Sequence, residues 1–234
     1  MGDPIEFFQP DVRPLLAIED LSKGFTLHAA DRRVRGCEHI SLSVLPGEFV
    51  GVTGRSGSGK STILKCIYRT NLPESGHIMY DSEAFGPVDL ATLDERRVIY
   101  LRNYETGYVS QFLDVVPRTT AREIVRASAA EAFADEDAIE EETTRMLEHF
   151  DFPKPLWDLY PNTFSGGEKL RLNIARAMVR RPRLLLLDEP TASLDNASKI
   201  KVRDLIEQLK AGGTTMLGIF HDLEFMEGVC DREY

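Results

Sequence analysis

The stretch "GRSGSGKST", residues 54–62, decides how the rest of the chain is read. It fits the spacing G-x-x-x-x-G-K-[ST], with Gly54, Gly59, Lys60 and Ser61 at the fixed places. Glycines let backbone N–H groups turn inward around phosphates, and a following helix points its positive end at them. Lys60 can reach the β- and γ-phosphates of a nucleotide, and the Ser61 hydroxyl can ligate Mg²⁺. The candidate nucleotide-binding set is Gly54, Arg55, Ser56, Gly57, Ser58, Gly59, Lys60, Ser61 and Thr62. The flanks agree: "EFVGVT" reads as a strand delivering the loop, and "STILKCIYRT" carries Ile63, Leu64 and Ile67 at helical spacing.

A phosphate loop needs a second metal contact, and "RLLLLDEP" (183–190) supplies it. Its continuous apolar run is that of a central parallel strand buried on both faces. Asp188 would emerge at the C-terminal end of that strand, where ligands sit in open α/β sheets, and would hold Mg²⁺ through water. The adjacent Glu189 is then placed to polarise a water attacking the γ-phosphate. His221 follows the apolar run "MLGIF" and would end a neighbouring strand, where imidazole can bond the γ-phosphate or orient the water. Gln111, in "YVSQFL", ends another strand; its amide either touches Mg²⁺ or water, or simply caps a turn. Phe25 is either a base-stacking ring or an ordinary core residue of a strand.

A second anion-type turn stands at Ser165-Gly166-Gly167, ahead of a helix packing through Leu170, Ile174 and Ala177. The first loop already holds the phosphates of this chain's own nucleotide. A second cradle becomes useful if it closes over nucleotide bound to another subunit, so that two subunits, head to tail, sandwich two ATP molecules. A glycine-rich turn that only starts a helix is the plainer alternative.

The 234 residues, 42% of them hydrophobic, suffice for a large α/β domain with an inserted subdomain. A net charge of −10 without a basic run argues against nucleic acid or anionic lipid as partner. Cys37, Cys66 and Cys230 are far apart with no CxxC, which fits reduced thiols in the cytoplasm. No apolar stretch approaches the roughly 18 residues that cross a bilayer, so no direct membrane insertion is expected. Residues 1–14 read as a flexible leader and 15–234 as one domain. Strands are expected from Leu15 to about Val52 and again over 75–100, with "LPGE" (45–48) as a tight turn. A helical, alanine-rich subdomain is expected over about 112–163. Its acidic block, Asp135 to Glu142, is either a solvated face or a surface for a basic partner. "TTMLGIFHD" (214–222) reads as a further strand, and the whole as a mostly parallel sheet with helices on both sides.

Taken together the set resembles the ABC-type ATPases. The phosphate loop, Gln111, "FSGGE" (164–168), "LLLLDEP" (184–190), "SLD" (193–195) and His221 follow in that family's order and approximate spacing. The resemblance covers almost the whole chain from Leu15. It implies a P-loop α/β core with an antiparallel β region and a helical insertion, ATP and Mg²⁺ as ligands, and a composite-site dimer. It makes Ser165, Gly166, Gly167 and Glu168 a signature acting on the partner's ATP, with Ser193, Leu194 and Asp195 as the loop linking the two sites. Some positions depart from the generic pattern: glutamate at 168, "GIFHD" at the switch, "YRTNLPESG" and "VSQFLDVVPRTTAREIV". These are similar to the ATP-binding L protein of the carbon–phosphorus lyase system of phosphonate degradation. That similarity implies a self or paralogous ABC partner and a soluble lyase core complex. Two other readings stand beside it: the nucleotide-binding subunit of a lipoprotein-release or exporter-type membrane transporter, and a nucleotide-gated assembly factor with little hydrolysis. The chain stops at Tyr234, soon after His221, and a trimmed C-terminal edge is the expectation.

Overall fold

The computed structural model describes residues 13–27, 32–55, 57–110, 117–191, 194–220, 225 and 228–234. Residues 1–12 of the expected leader 1–14, and Ser56, Gln111, Ser193 and His221, lie outside these residues.

Two sheets organise the chain. An antiparallel sheet of order β2-β1-β4-β5 is built from β1 (Leu16–Leu27), β2 (Arg32–Val44), β4 (Ser75–Ser82) and β5 (Gly86–Asp89). A five-stranded sheet of order β6-β7-β8-β3-β9 uses β3 (Phe49–Val52), β6 (Thr106–Val109), β7 (Leu184–Asp188), β8 (Thr215–Ile219) and β9 (Arg232–Glu233). All four ladders of this second sheet are parallel. The turn before β3 closes as its sequence suggests, Glu48 N–H donating to Leu45 O at 3.0 Å.

The leucine run of β7 explains the layering. Leu184 and Leu186 join a core with β1, β2, β4 and α1 (Lys60–Ile67), whereas Leu185 and Leu187 join a second core beneath the helices. Side chains alternate along a strand, so a run without polar positions can satisfy both faces only in the middle of three layers. Full burial of each leucine contributes about 2 kcal/mol. The helical layer holds α3 (Ala121–Ala132), α4 (Glu136–His149), α5 (Gly166–Met178) and α6 (Asn196–Ala211). Among the described residues no helix is long and apolar enough to cross a membrane. All three cysteines are free, and burial pushes the Cys66 thiol up to about 12.

One expectation changes. Residues 95–100, within the stretch read as strand, belong to helix α2 (Glu95–Tyr104). Asp94 caps it by accepting from Arg97 N–H, and its only buried side chains, Val98 and Leu101, are three apart. The charges of the acidic block are mostly exposed, with several of them paired inside the helical layer. Asp135 caps α4 through Ala138 N–H, Glu136 and Glu140 pair with Arg126, and Glu142, 7% exposed, takes Arg145 Nε at 2.7 Å.

At the junction of α2 and β6, Glu105 is buried and ties the two sheets together. It accepts from Ser82 Oγ at 2.8 Å and from the backbone N–H groups of Glu83 and Ala84 at 3.1 and 3.2 Å, with Arg183 3.7 Å away. Glu105→Ala strands three donors at once and should cost about 3 kcal/mol in denaturant unfolding.

Candidate nucleotide site

The C-terminal edge of the parallel sheet brings distant parts of the chain into one row. Val52 at the end of β3 pairs with Ile219 of β8, which pairs with Asp188 of β7, while Val109 of β6 sits opposite Leu187. The strand ends leading to Gln111 and His221 therefore share the edge with the phosphate loop and Asp188, although those two residues themselves are outside the described set.

The loop after β3 turns through Gly59, whose φ of +88° is a left-handed conformation. A methyl group there would meet the carbonyl oxygen of Gly36 at 1.4 Å, so the loop is pressed against β2. Gly59→Ala should lose fold stability by more than the roughly 1–2 kcal/mol of the left-handed conformation alone. Calorimetry would measure that loss. Gly59 caps α1 without a side-chain bond, its carbonyl oxygen accepting from Thr62 N–H at 2.9 Å and Ile63 N–H at 3.3 Å, so that the helix begins directly at the loop. Lys60 is 6% exposed, its Nζ donating to Gly54 O at 2.7 Å and Arg55 O at 2.9 Å across the loop mouth.

Ser61 Oγ donates to Asp188 Oδ1 at 2.8 Å, joining positions 127 residues apart. The other carboxylate oxygen, Oδ2, accepts from Tyr108 OH at 2.6 Å. Burial, then the bond to Asp188 and its charge, push the Tyr108 phenol up, so it stays a donor. A hydroxyl and a carboxylate side by side at a phosphate loop are hard oxygen donors of the type Mg²⁺ takes, and they fit that ion. Glu189 follows with φ +52°, its N–H donating to Ile219 O at 3.1 Å. That left-handed backbone, costly for a non-glycine residue, lies where the chain leaves the sheet edge.

Phe25 is 37% exposed on β1, with Lys23 Nζ 5.3 Å from its ring centroid. A methyl on Gly36 would touch Phe25 Cε2 at 2.8 Å and Thr62 Cγ2 at 3.0 Å, so the ring and the first turn of α1 flank one point. The ring thus has an open side next to the phosphate loop, which a planar base could use.

Ser165 caps α5 in a capping box. Its Oγ accepts from Glu168 N–H at 3.3 Å, and Glu168 Oε2 accepts from Ser165 N–H at 2.7 Å. Glutamate at 168 therefore serves the helix start itself. Asp195 caps α6 by accepting from Ser198 N–H at 2.7 Å, a bond that holds its carboxyl below the usual range. A methyl on Gly167 would meet Ser198 Oγ at 3.2 Å, so the two helix starts touch, with Leu194 packed on the core behind them. Sequence reasoning missed Tyr108 and also Asn173, whose buried amide donates to Ser110 O at 3.2 Å and ties α5 to the end of β6.

A phosphate loop, a hydroxyl–carboxylate pair and a glutamate on one edge of a parallel sheet, with an antiparallel sheet packed behind, define a P-loop ATPase cassette. The family model for ABC transporters matches residues 37–192, and the chain belongs to that family. A putative peptide import ATP-binding protein of Brucella ovis is 33% identical over 223 residues, 94% of this chain and 68% of that protein. The macrolide export ATP-binding/permease protein MacB of Brucella abortus is 33% identical over 92% of this chain and 32% of its own. The methionine import ATP-binding protein MetN of Haemophilus influenzae is 29% identical over 93% and 61%. Among solved structures, the ATP-binding cassette MJ0796, a dimer in a post-hydrolysis state bound to ADP and Pi, superposes with a TM-score of 0.80 at 26% identity, covering 90% of this chain and 89% of that one. The fold is the ABC cassette fold, and the protein is an ABC ATPase.

Proposed function

We propose that this chain is the ATP-hydrolysing nucleotide-binding subunit of a membrane transporter, acting in a pair with a second ABC subunit, itself or a paralogue. The observation that carries the ATPase part is the Ser61–Asp188 contact, which sets a metal-type oxygen pair beside the phosphate loop. The partner part rests on the relatives. They are import and export proteins, one of them fused to its permease by name, and they favour a transporter over the carbon–phosphorus lyase complex suggested by the departures in sequence.

In this reading residues 15–234 form one ATPase domain with a helical subdomain at about 112–163. Phe25 stacks on adenine, Lys60 and the loop N–H groups of 54–62 bind the phosphates, and Ser61, Asp188 and Gln111 hold Mg²⁺. The ion, when bound, offsets phosphate charge. Glu189 takes a proton from the attacking water, and His221 and Gln111 orient that water. Ser165, Gly166, Gly167 and Glu168 present the α5 start to the partner's nucleotide. Ser193, Leu194 and Asp195 link the two sites, using the contact between the α5 and α6 starts.

Affinity purification of the tagged chain from detergent-solubilised membranes tests the partner. A co-purifying permease is the expected result; recovery of soluble lyase subunits instead would return the reading to phosphonate degradation.

A further inference from the structure

Tyr108 is not among the residues that the phosphate-loop pattern points to, yet its hydroxyl holds one of the two oxygens of Asp188. The parallel register makes this possible: Tyr108 lies opposite Leu186, and Asp188 is two residues further on the same face of β7. The aim of the hydroxyl is fixed from behind. The Tyr68 ring packs on Tyr108 with centroids 5.1 Å apart, and Arg102 stacks over Tyr68 at 4.8 Å while its Nε donates to Tyr68 O at 2.8 Å. Each oxygen of Asp188 thus has its own hydroxyl partner, Ser61 on Oδ1 and Tyr108 on Oδ2.

We infer that Tyr108 is a positioning residue that limits Asp188 to one metal-facing oxygen and so makes the site select Mg²⁺ over Ca²⁺. The inference rests on Asp188 being a metal-holding residue, as proposed above. Mg²⁺ demands near-octahedral geometry and keeps several waters, whereas Ca²⁺ accepts larger coordination numbers and bidentate carboxylates. Ser61, the partner of Oδ1, is itself proposed as a metal ligand and would turn to the ion together with that oxygen. Tyr108 instead keeps Oδ2 in a hydrogen bond, which serves the first ion and denies the second its chelating mode. Partners that orient a ligand in this way typically change metal affinity by about 10- to 100-fold when removed.

The test titrates MgCl₂ or CaCl₂ into the full chain with a fluorescent ATP analogue, reading nucleotide binding rather than turnover. For Tyr108→Phe, the Mg²⁺ concentration giving half-maximal binding should rise roughly tenfold, at the lower end of that range. The Ca²⁺ requirement should stay level or fall, and binding in EDTA should match wild type. Equal shifts for both ions, no shift, or weakened binding in EDTA would overturn the inference, the last because it marks a packing defect. Asp188→Asn separates the levels. If it leaves the Mg²⁺ dependence unchanged, the metal role of Asp188 fails; if it raises it while Tyr108→Phe does not, Tyr108 alone is misread.

Discussion

Glu189→Gln should lower ATP turnover by about 10²- to 10⁴-fold, the range over which a positioned general base acts, while ATP binding stays close to wild type. The substitution keeps the shape of the side chain but replaces a charged, proton-accepting oxygen by a neutral amide NH2 that can only donate. Glu189 leaves β7 directly after Asp188, with its backbone in the left-handed region and its N–H bonded to β8. The fold therefore imposes a costly conformation on a carboxylate residue at the edge where the phosphate loop ends. Neither phosphate binding nor the hydroxyl–carboxylate pair uses this side chain, so affinity and turnover should separate. Steady-state phosphate release and equilibrium binding, measured on the same preparations, give the two numbers. Equal, slow turnover in wild type and variant would remove the catalytic role and favour the nucleotide-gated assembly factor.

Much of this site was legible in the sequence because its parts are local patterns. The phosphate loop, the unbroken leucine run of β7 and the apolar run of β8 each state their structure within a few residues. What the sequence could not state is register. The Tyr108 bond to Asp188 spans 80 positions and exists only because β6 pairs in parallel with β7 at one particular offset. The first part of helix α2, residues 95–100, reads as strand because "ERRVIYLRNY" buries only Val98 and Leu101, too few to impose a helical period, and its cap at Asp94 looks like any acidic residue. The acidic block misleads for the converse reason. Its charges are visible in sequence, and Glu142 with Arg145 is a local i,i+3 pair on α4, but Arg126 of α3 can be assigned to Glu136 and Glu140 only once α3 and α4 are packed together. The gap between pattern and site is thus a matter of long-range pairing. The phosphate-loop pattern, being local, does not depend on it.

Ser165→Arg should abolish ATP-dependent pairing of subunits while leaving each subunit's own ATP affinity near wild type. The phosphate loop on α1 and the α5 start are separate helix N-termini, and one nucleotide needs only one of them for its own phosphates. The α5 start is exposed at Ser165 and Gly166 and braced by its capping box and by contact with Ser198, so it offers a rigid surface to a second chain. An arginine there fills the space over the helix N-terminus that a partner's phosphate would enter. It also removes the cap, worth about 0.5–2 kcal/mol, and Ser165→Ala isolates that smaller loss because it removes the hydroxyl without adding bulk. The experiment is best run in the Glu189→Gln background, where slow hydrolysis lets a pair accumulate. Light scattering with Mg²⁺ and ATP should then report a dimer for Glu189→Gln and a monomer for the Ser165→Arg double variant. Ser165→Ala should give a dimer of lower thermal stability. A dimer of undiminished yield in the arginine variant would mean that the second glycine turn only starts a helix, and the composite site would have to be abandoned.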